Sequence, residues 1–240
     1  MYGGCFLIED KENTPLVNLQ NVTIGYDPKN ILIDIGEFKA YPGEIIVLTG
    51  ISGIGKTTLL KTIAGLVRPI SGSIEVCGKH LPQHPNKGEL GYIPQSLGLV
   101  RHASVMHNVM LGANAGHKRF WTPLPSKIAK KHALDAIIAM GIEPLQYNII
   151  RKLSGGQQRR VATARTLSQQ PRLILADEFL SELDEHTKEI VQSKVIEYIH
   201  QNKSTLVVVE HDISRAKEMG DRIFSIEDAK IKEITNMEEE

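Results

Sequence analysis

Nine residues, GISGIGKTT (Gly50–Thr58), constrain this chain more than any other stretch. They follow an apolar run, EIIVLT, and precede TLLKTIAGL, which reads as a helix over Thr58–Leu66. The pattern is G-x-x-x-x-G-K-T, with Gly50, Gly55, Lys56 and Thr57 at its fixed places. Glycines, Gly53 among them, let the backbone curl so that successive N–H groups, including that of Ser52, point inward at one anion. Lys56 adds a charge that reaches outer phosphates, and the Thr57 hydroxyl suits Mg²⁺. A following helix, opened by Thr57 and Thr58, turns its positive N-terminus toward the same anion. A glycine turn that merely happened to precede Lys-Thr would not come with the strand and the helix. The expected ligands are a nucleoside triphosphate and Mg²⁺.

The chain has 240 residues, enough for a sizeable core. Lys plus Arg number 28 and Asp plus Glu 28, so no general attraction for nucleic acid is implied and none is expected as a partner. The two cysteines, Cys5 and Cys77, have no metal-ligand spacing and suit a reducing cytoplasm. MYGGCFLIEDKENTP lacks a basic start followed by a long apolar run, so no signal peptide is expected. No stretch approaches the ~18 apolar residues of a membrane span.

Leu16–Ile46 reads as β structure, punctuated by Gly25 and Pro42-Gly43. Strands are also expected over Ser73–Val76 and Leu90–Gln95. From Ser96 to about Arg165 the chain reads as mainly helical. HKRFWTPLPSK (His117–Lys127) is a Pro-containing connector with the only tryptophan. LILAD (Leu173–Asp177) and TLVVVEH (Thr205–His211) read as buried parallel strands, with a helix over His186–His200 between them. RIFSIEDAKIKEI reads as a terminal hairpin turning at Glu227-Asp228. The expected fold is α/β: a P-loop, RecA-like core with a mostly parallel sheet, an N-terminal antiparallel β subdomain and an inserted α-helical subdomain. All of it forms one domain, with the core over residues 16–95 and 161–235 and the insert over about 96–160.

Two further segments fit the phosphate loop. LILADE ends a strand on Asp177 and Glu178, and parallel strands deliver their C-terminal ends to the ligand crevice. Asp177 is then placed for the Mg²⁺ shell and Glu178 to orient or deprotonate a water. Alone, this pair reads as a solvated loop; beside the Gly50 loop it reads as chemistry. In LSGGQQ, Ser154 can cap a helix whose start the glycines leave open, a second anion site. An ordinary capped helix start is the plainer alternative.

GISGIGKTT, YIPQ, LSGGQQ, LILADE, SELD and VEH, in this order, resemble an ATP-binding cassette (ABC) ATPase over about residues 16–230. The resemblance implies that Tyr26 stacks on adenine and that Gly50–Thr58 holds the phosphates. Gln95 would touch Mg²⁺ and the water and sense a membrane partner. Ser154, Gly155 and Gly156 would grip the γ-phosphate bound to a second subunit. Asp177 and Glu178 would be the metal-shell and catalytic carboxylates, Asp184 would cross the dimer interface, and His211 would contact the γ-phosphate. Without the family order, Tyr26 reads as packing and His211 as an ordinary polar residue. The chain departs from the family at Phe179, where proline is usual, and at Glu182, where a small residue is usual. Both put the tuning of dimer closure in question.

The function expected is ATP hydrolysis that drives a membrane transporter. The partners would be an integral membrane subunit and a second copy or paired cassette, at the cytoplasmic face of the membrane. Phosphonate-type importer cassettes resemble the chain most, with lipoprotein-release and macrolide-type cassettes close behind. The membrane subunit would dock near Gln95–Lys127; Phe120 and Trp121 would either dock there or cover their own domain. A non-transport ABC-type ATPase usually carries a second cassette or a long coiled-coil insertion. A P-loop kinase gives no reason for LSGGQQ.

Overall fold

The computed structural model describes residues 14–27, 29–116 and 126–234. β1 (Val17–Asp27) and β2 (Asn30–Ala40) pair antiparallel, as their alternating apolar residues predict. β3 (Ile45–Thr49) is buried at every residue. It feeds the phosphate loop and α1 (Lys56–Ile63). β4 (Ser71–Val76), β5 (Lys79–His80) and β6 (Leu90–Ile93) follow. α2 (Val105–Gly116), α3 (Lys127–Ala139), two 3-10 turns and α4 (Gly155–Ser168) make the helical block. β7 (Leu173–Asp177), α5 (Glu185–Asn202), β8 (Thr205–Val209), α6 (Ile213–Met219), β9 (Arg222–Glu227) and β10 (Lys230–Ile234) complete the chain.

The ten strands form one sheet, ordered β5-β4-β1-β2-β10-β9-β3-β8-β7-β6. From β9 to β6 all neighbours run parallel. β9 and β10 form the expected hairpin. Its far strand also meets β2, through Lys230 opposite Asp34, and so joins the N-terminal antiparallel part to the parallel part.

The parallel strands are buried on both faces, which is why they read as unbroken apolar runs. Their side chains alternate between two cores. Ile45, Val47, Ile174, Ala176, Leu206 and Val208 face the helical block and α5. Ile46, Leu48, Leu173, Leu175, Val207 and Val209 face α1 and the N-terminal strands. α4 lies in the helical block against α2 and α3 and runs through residue 160. Within the helical block, Arg165 of α4 donates to Leu97 O and Gly98 O, both at 2.7 Å, and so ties the loop after Gln95 to that helix. Of the connector over residues 117–127, Ser126 caps α3 and Lys127 opens it. Phe120 and Trp121, and the docking role expected of them, lie outside the described residues.

Candidate nucleotide site

Four consecutive parallel strands bring the site together. The phosphate loop follows β3, His211 lies just beyond β8, Glu178 follows β7 and Gln95 lies just beyond β6. Leu48 pairs with Val209, and Val209 with Asp177, so three strand ends lie level. Their loops and β1 enclose a cleft of about 300 Å³. Tyr26, Ser52, Gly53, Gly55, Lys56, Thr57, Thr58, Gln95, Glu178 and His211 all line it, together with Leu32, which sequence reasoning did not single out.

The loop's geometry explains its glycines. Gly53 and Gly55 have φ of +82° and +114°, a region that L side chains avoid. Gly55 is the N-cap of α1, and no side chain caps that helix. The first N–H groups of α1 are therefore free to meet an anion. Lys56 is buried, and its ammonium donates to Gly50 O at 2.6 Å and Ile51 O at 2.8 Å. Burial lowers its pKa, against the opposing pull of Glu178 and Asp177.

Across the cleft floor, Thr57 Oγ1 donates to Asp177 Oδ1 at 3.1 Å. Asp177 is 1% exposed, and its other oxygen, Oδ2, has no hydrogen-bond partner. Burial raises its carboxyl above the ordinary range, while the Thr57 bond opposes the rise. An unpartnered buried carboxylate oxygen beside a hydroxyl is a hard-oxygen pair of the kind Mg²⁺ takes when phosphates complete its shell. The residues therefore fit Mg²⁺.

Glu178 ties the upper loops together. Its Oε1 lies 2.7 Å from His211 Nε2, and its Oε2 accepts from Gln95 Nε2 at 3.3 Å. Its φ is +53°. A following proline would push residue 178 toward extended backbone; Phe179 imposes no such restriction. Phe179 itself is 1% exposed in the core beneath the helical block. The departure at this position is thus filled by packing as well as by a freer backbone.

Tyr26 is 82% exposed at the end of β1, so its ring is not packing for its own domain. It lines the cleft mouth with a free face. Tyr26→Ala should weaken nucleotide binding by about 1 kcal/mol, the scale of one aromatic stack. The ratio of ATP to GTP affinity should stay the same, because a ring face reads no base edge. Titration of both nucleotides checks this; an unchanged ATP affinity removes the stacking role.

Ser154–Gly156 open a different recess, about 370 Å³, lined also by Glu182, Leu183, Asp184 and Thr187. It shares no lining residue with the cleft. Ser154 and Gln157 form a reciprocal cap: Ser154 Oγ accepts from Gln157 N at 3.2 Å, and Gln157 Oε1 accepts from Ser154 N at 3.0 Å. The glycines have a second reason beyond leaving the helix start open. A Cβ at Gly155 would collide with Glu182 Oε2, and one at Gly156 would press on Leu183. Asp184 caps α5, accepting from Thr187 N at 3.0 Å and Thr187 Oγ1 at 2.7 Å.

Sequence reasoning missed Arg159. It is 2% exposed, and it donates from one nitrogen to Glu178 O at 3.0 Å and from the other to Glu182 Oε1 at 3.2 Å. Its signal was present: Arg159 falls on the helix stripe of Ala162, Thr163 and Thr166, all buried.

A glycine loop closing on an uncapped helix start, a carboxylate pair at the end of β7 two strands away and a separate recess at the start of α4 define a P-loop nucleotide-binding cassette. Residues 34–181 match the ABC transporter family, and the chain belongs to it. It is 33% identical over 228 residues to an Fe(3+) ions import ATP-binding protein of Haemophilus influenzae, covering 92% of this chain and 62% of that one. It is 34% identical over 220 residues to a phosphonates import ATP-binding protein of Lactobacillus delbrueckii, covering 88% of this chain and 86% of that one. The chain thus spans under two thirds of the iron-import relative. Among solved structures, a dimeric post-hydrolysis ATP-binding cassette bound to ADP and Pi superposes with a TM-score of 0.78 at 27% identity, covering 92% of this chain and 100% of that one.

Proposed function

We propose that this chain is the ATP-binding and ATP-hydrolysing subunit of an ABC membrane transporter, and that it works as one of two cassettes closing on ATP. One observation carries this reading. Within a single chain, the LSGGQQ recess and the nucleotide cleft share no residue. A second anion site that does not serve its own chain's nucleotide has a use if it meets a partner's. The dimeric neighbour supports that pairing.

We assign the roles as follows, on the family resemblance and the residues gathered at the two sites. N–H groups of Gly50–Thr58 and the Lys56 ammonium hold the phosphates, and Tyr26 covers the base. Thr57, Asp177 and Gln95 hold Mg²⁺, which neutralises phosphate charge when bound. Glu178 orients or deprotonates the attacking water. His211 steadies Glu178 and reaches the γ-phosphate. Ser154, Gly155 and Gly156 meet the γ-phosphate held by the partner chain. The core of residues 16–95 and 161–235 does the chemistry, and the insert of about 96–160 carries the second site and the membrane contact.

No helix among the described residues is long and apolar enough to cross a membrane. We assign the chain to the cytoplasmic face of the membrane, held there by an integral membrane subunit. Relatives at nearly equal identity are named for import of Fe(3+) ions, phosphonates and spermidine/putrescine. The shared import in those names supports import as the direction, and the unlike cargoes support the reading that the membrane partner, not the cassette, selects the cargo.

Size measurement with Mg²⁺-ATP tests the pairing. A Glu178→Gln chain should accumulate as a dimer, with the membrane partner present if required, and Ser154→Arg added to it should abolish that dimer while ATP still binds. A Glu178→Gln chain that stays monomeric under both conditions overturns the two-chain reading.

A further inference from the structure

The recess at the start of α4 already contains an anion of the chain's own. Glu182 sits in the loop between β7 and α5, with a left-handed φ of +62°. Its carboxylate lies against Gly155, where a Cβ would meet Oε2 unless the glutamate moved aside. Gly155 is the first residue of α4, where unpaired N–H groups and the helix dipole favour negative charge. Glu182 Oε1 also accepts from the buried Arg159 at 3.2 Å. A phosphate entering this recess would meet like charge at close range.

Glu182 is nevertheless held loosely. Its side chain is 61% exposed, and a pair with one partner in solvent gains little. The carboxylate has open space to swing into, whereas Arg159 is 2% exposed and also bound to the Glu178 carbonyl. The release therefore falls on the glutamate, with the arginine remaining in place.

We propose that Glu182 is an internal competitor for the second anion site, tethered by Arg159, and that it sets the ATP concentration at which two chains close. This rests on the two-cassette reading above. In the free chain the carboxylate lies beside the start of α4, against Gly155. The partner's γ-phosphate must displace it, once in each chain, before Ser154–Gly156 can engage. Neutralising Glu182 removes the competitor without touching the nucleotide cleft, which it does not line.

The test uses the slow-turnover Glu178→Gln chain and records its mass by light scattering across an Mg²⁺-ATP titration. Adding Glu182→Gln, which keeps shape and an acceptor for Arg159, should lower the midpoint for dimer formation about fivefold or more, the low end of ordinary coupling between sites. Glu182→Ala should shift it the same way, and if that chain fails to fold the glutamine variant decides. ATP affinity at protein concentrations too low for dimers should stay unchanged. A midpoint that stays put or rises, in a Glu182→Gln chain melting at the parent's temperature, overturns the proposal. A parent chain that dimerises neither alone nor with the membrane partner present overturns the two-cassette reading instead, so the two failures are distinct.

Discussion

Glu178→Gln should lose ATP turnover by about 10²- to 10⁴-fold, the usual contribution of a positioned acid or base, while ATP affinity stays near that of the parent. Among the described residues, Glu178 is the only carboxylate lining the cleft, and it bonds to both flanking loops, through His211 and Gln95. Glutamine is nearly isosteric and keeps one carbonyl oxygen to accept from either neighbour. It loses the charge and the basicity that draw a proton from water. Single-turnover measurement of ATP cleavage, beside equilibrium binding of ATP, separates the two effects. Cleavage near the parent rate would assign the base elsewhere.

Lys56→Ala should lower ATP turnover by about 10²- to 10³-fold, the scale for losing one charged group aimed at developing phosphate charge. Here affinity falls as well, because the same ammonium meets the ground-state phosphates. The loop should also loosen: Lys56 now satisfies the carbonyls of Gly50 and Ile51, and alanine leaves both without that donor. An ATP titration of turnover reads both consequences together. Parent-like turnover and midpoint would sink the phosphate-loop assignment.

What the sequence made legible follows a physical division. Local chemistry was readable: the β3–loop–α1 unit, the largely apolar and fully buried β7 and β8, and the terminal hairpin were each written in adjacent residues. Family order then supplied Gln95, His211 and Tyr26, whose types alone say little. Contacts between distant segments were not legible. Nothing in SELD shows that Glu182 folds back onto Gly155, or that Arg159 reaches two loop residues 19 and 23 positions later. The backbone of Glu178 was half legible, since the absence of proline permits a left-handed φ without requiring it. Asp184 was expected at an interface and is seen as a helix cap, a role that its place before Glu185–Asn202 could have suggested.

The clamp of Arg165 on Leu97 and Gly98 has a mechanical meaning. Gln95 lines the cleft, and the two carbonyls just beyond it are bolted to α4. Ser154 caps the opposite end of the same helix, about 16 Å away along a rod of α-helical rise. An unbroken helix bends far less readily than a loop, so its two ends keep a fixed separation. One arginine thus fastens the loop beyond the cleft to the same rigid rod whose other end opens the LSGGQQ recess.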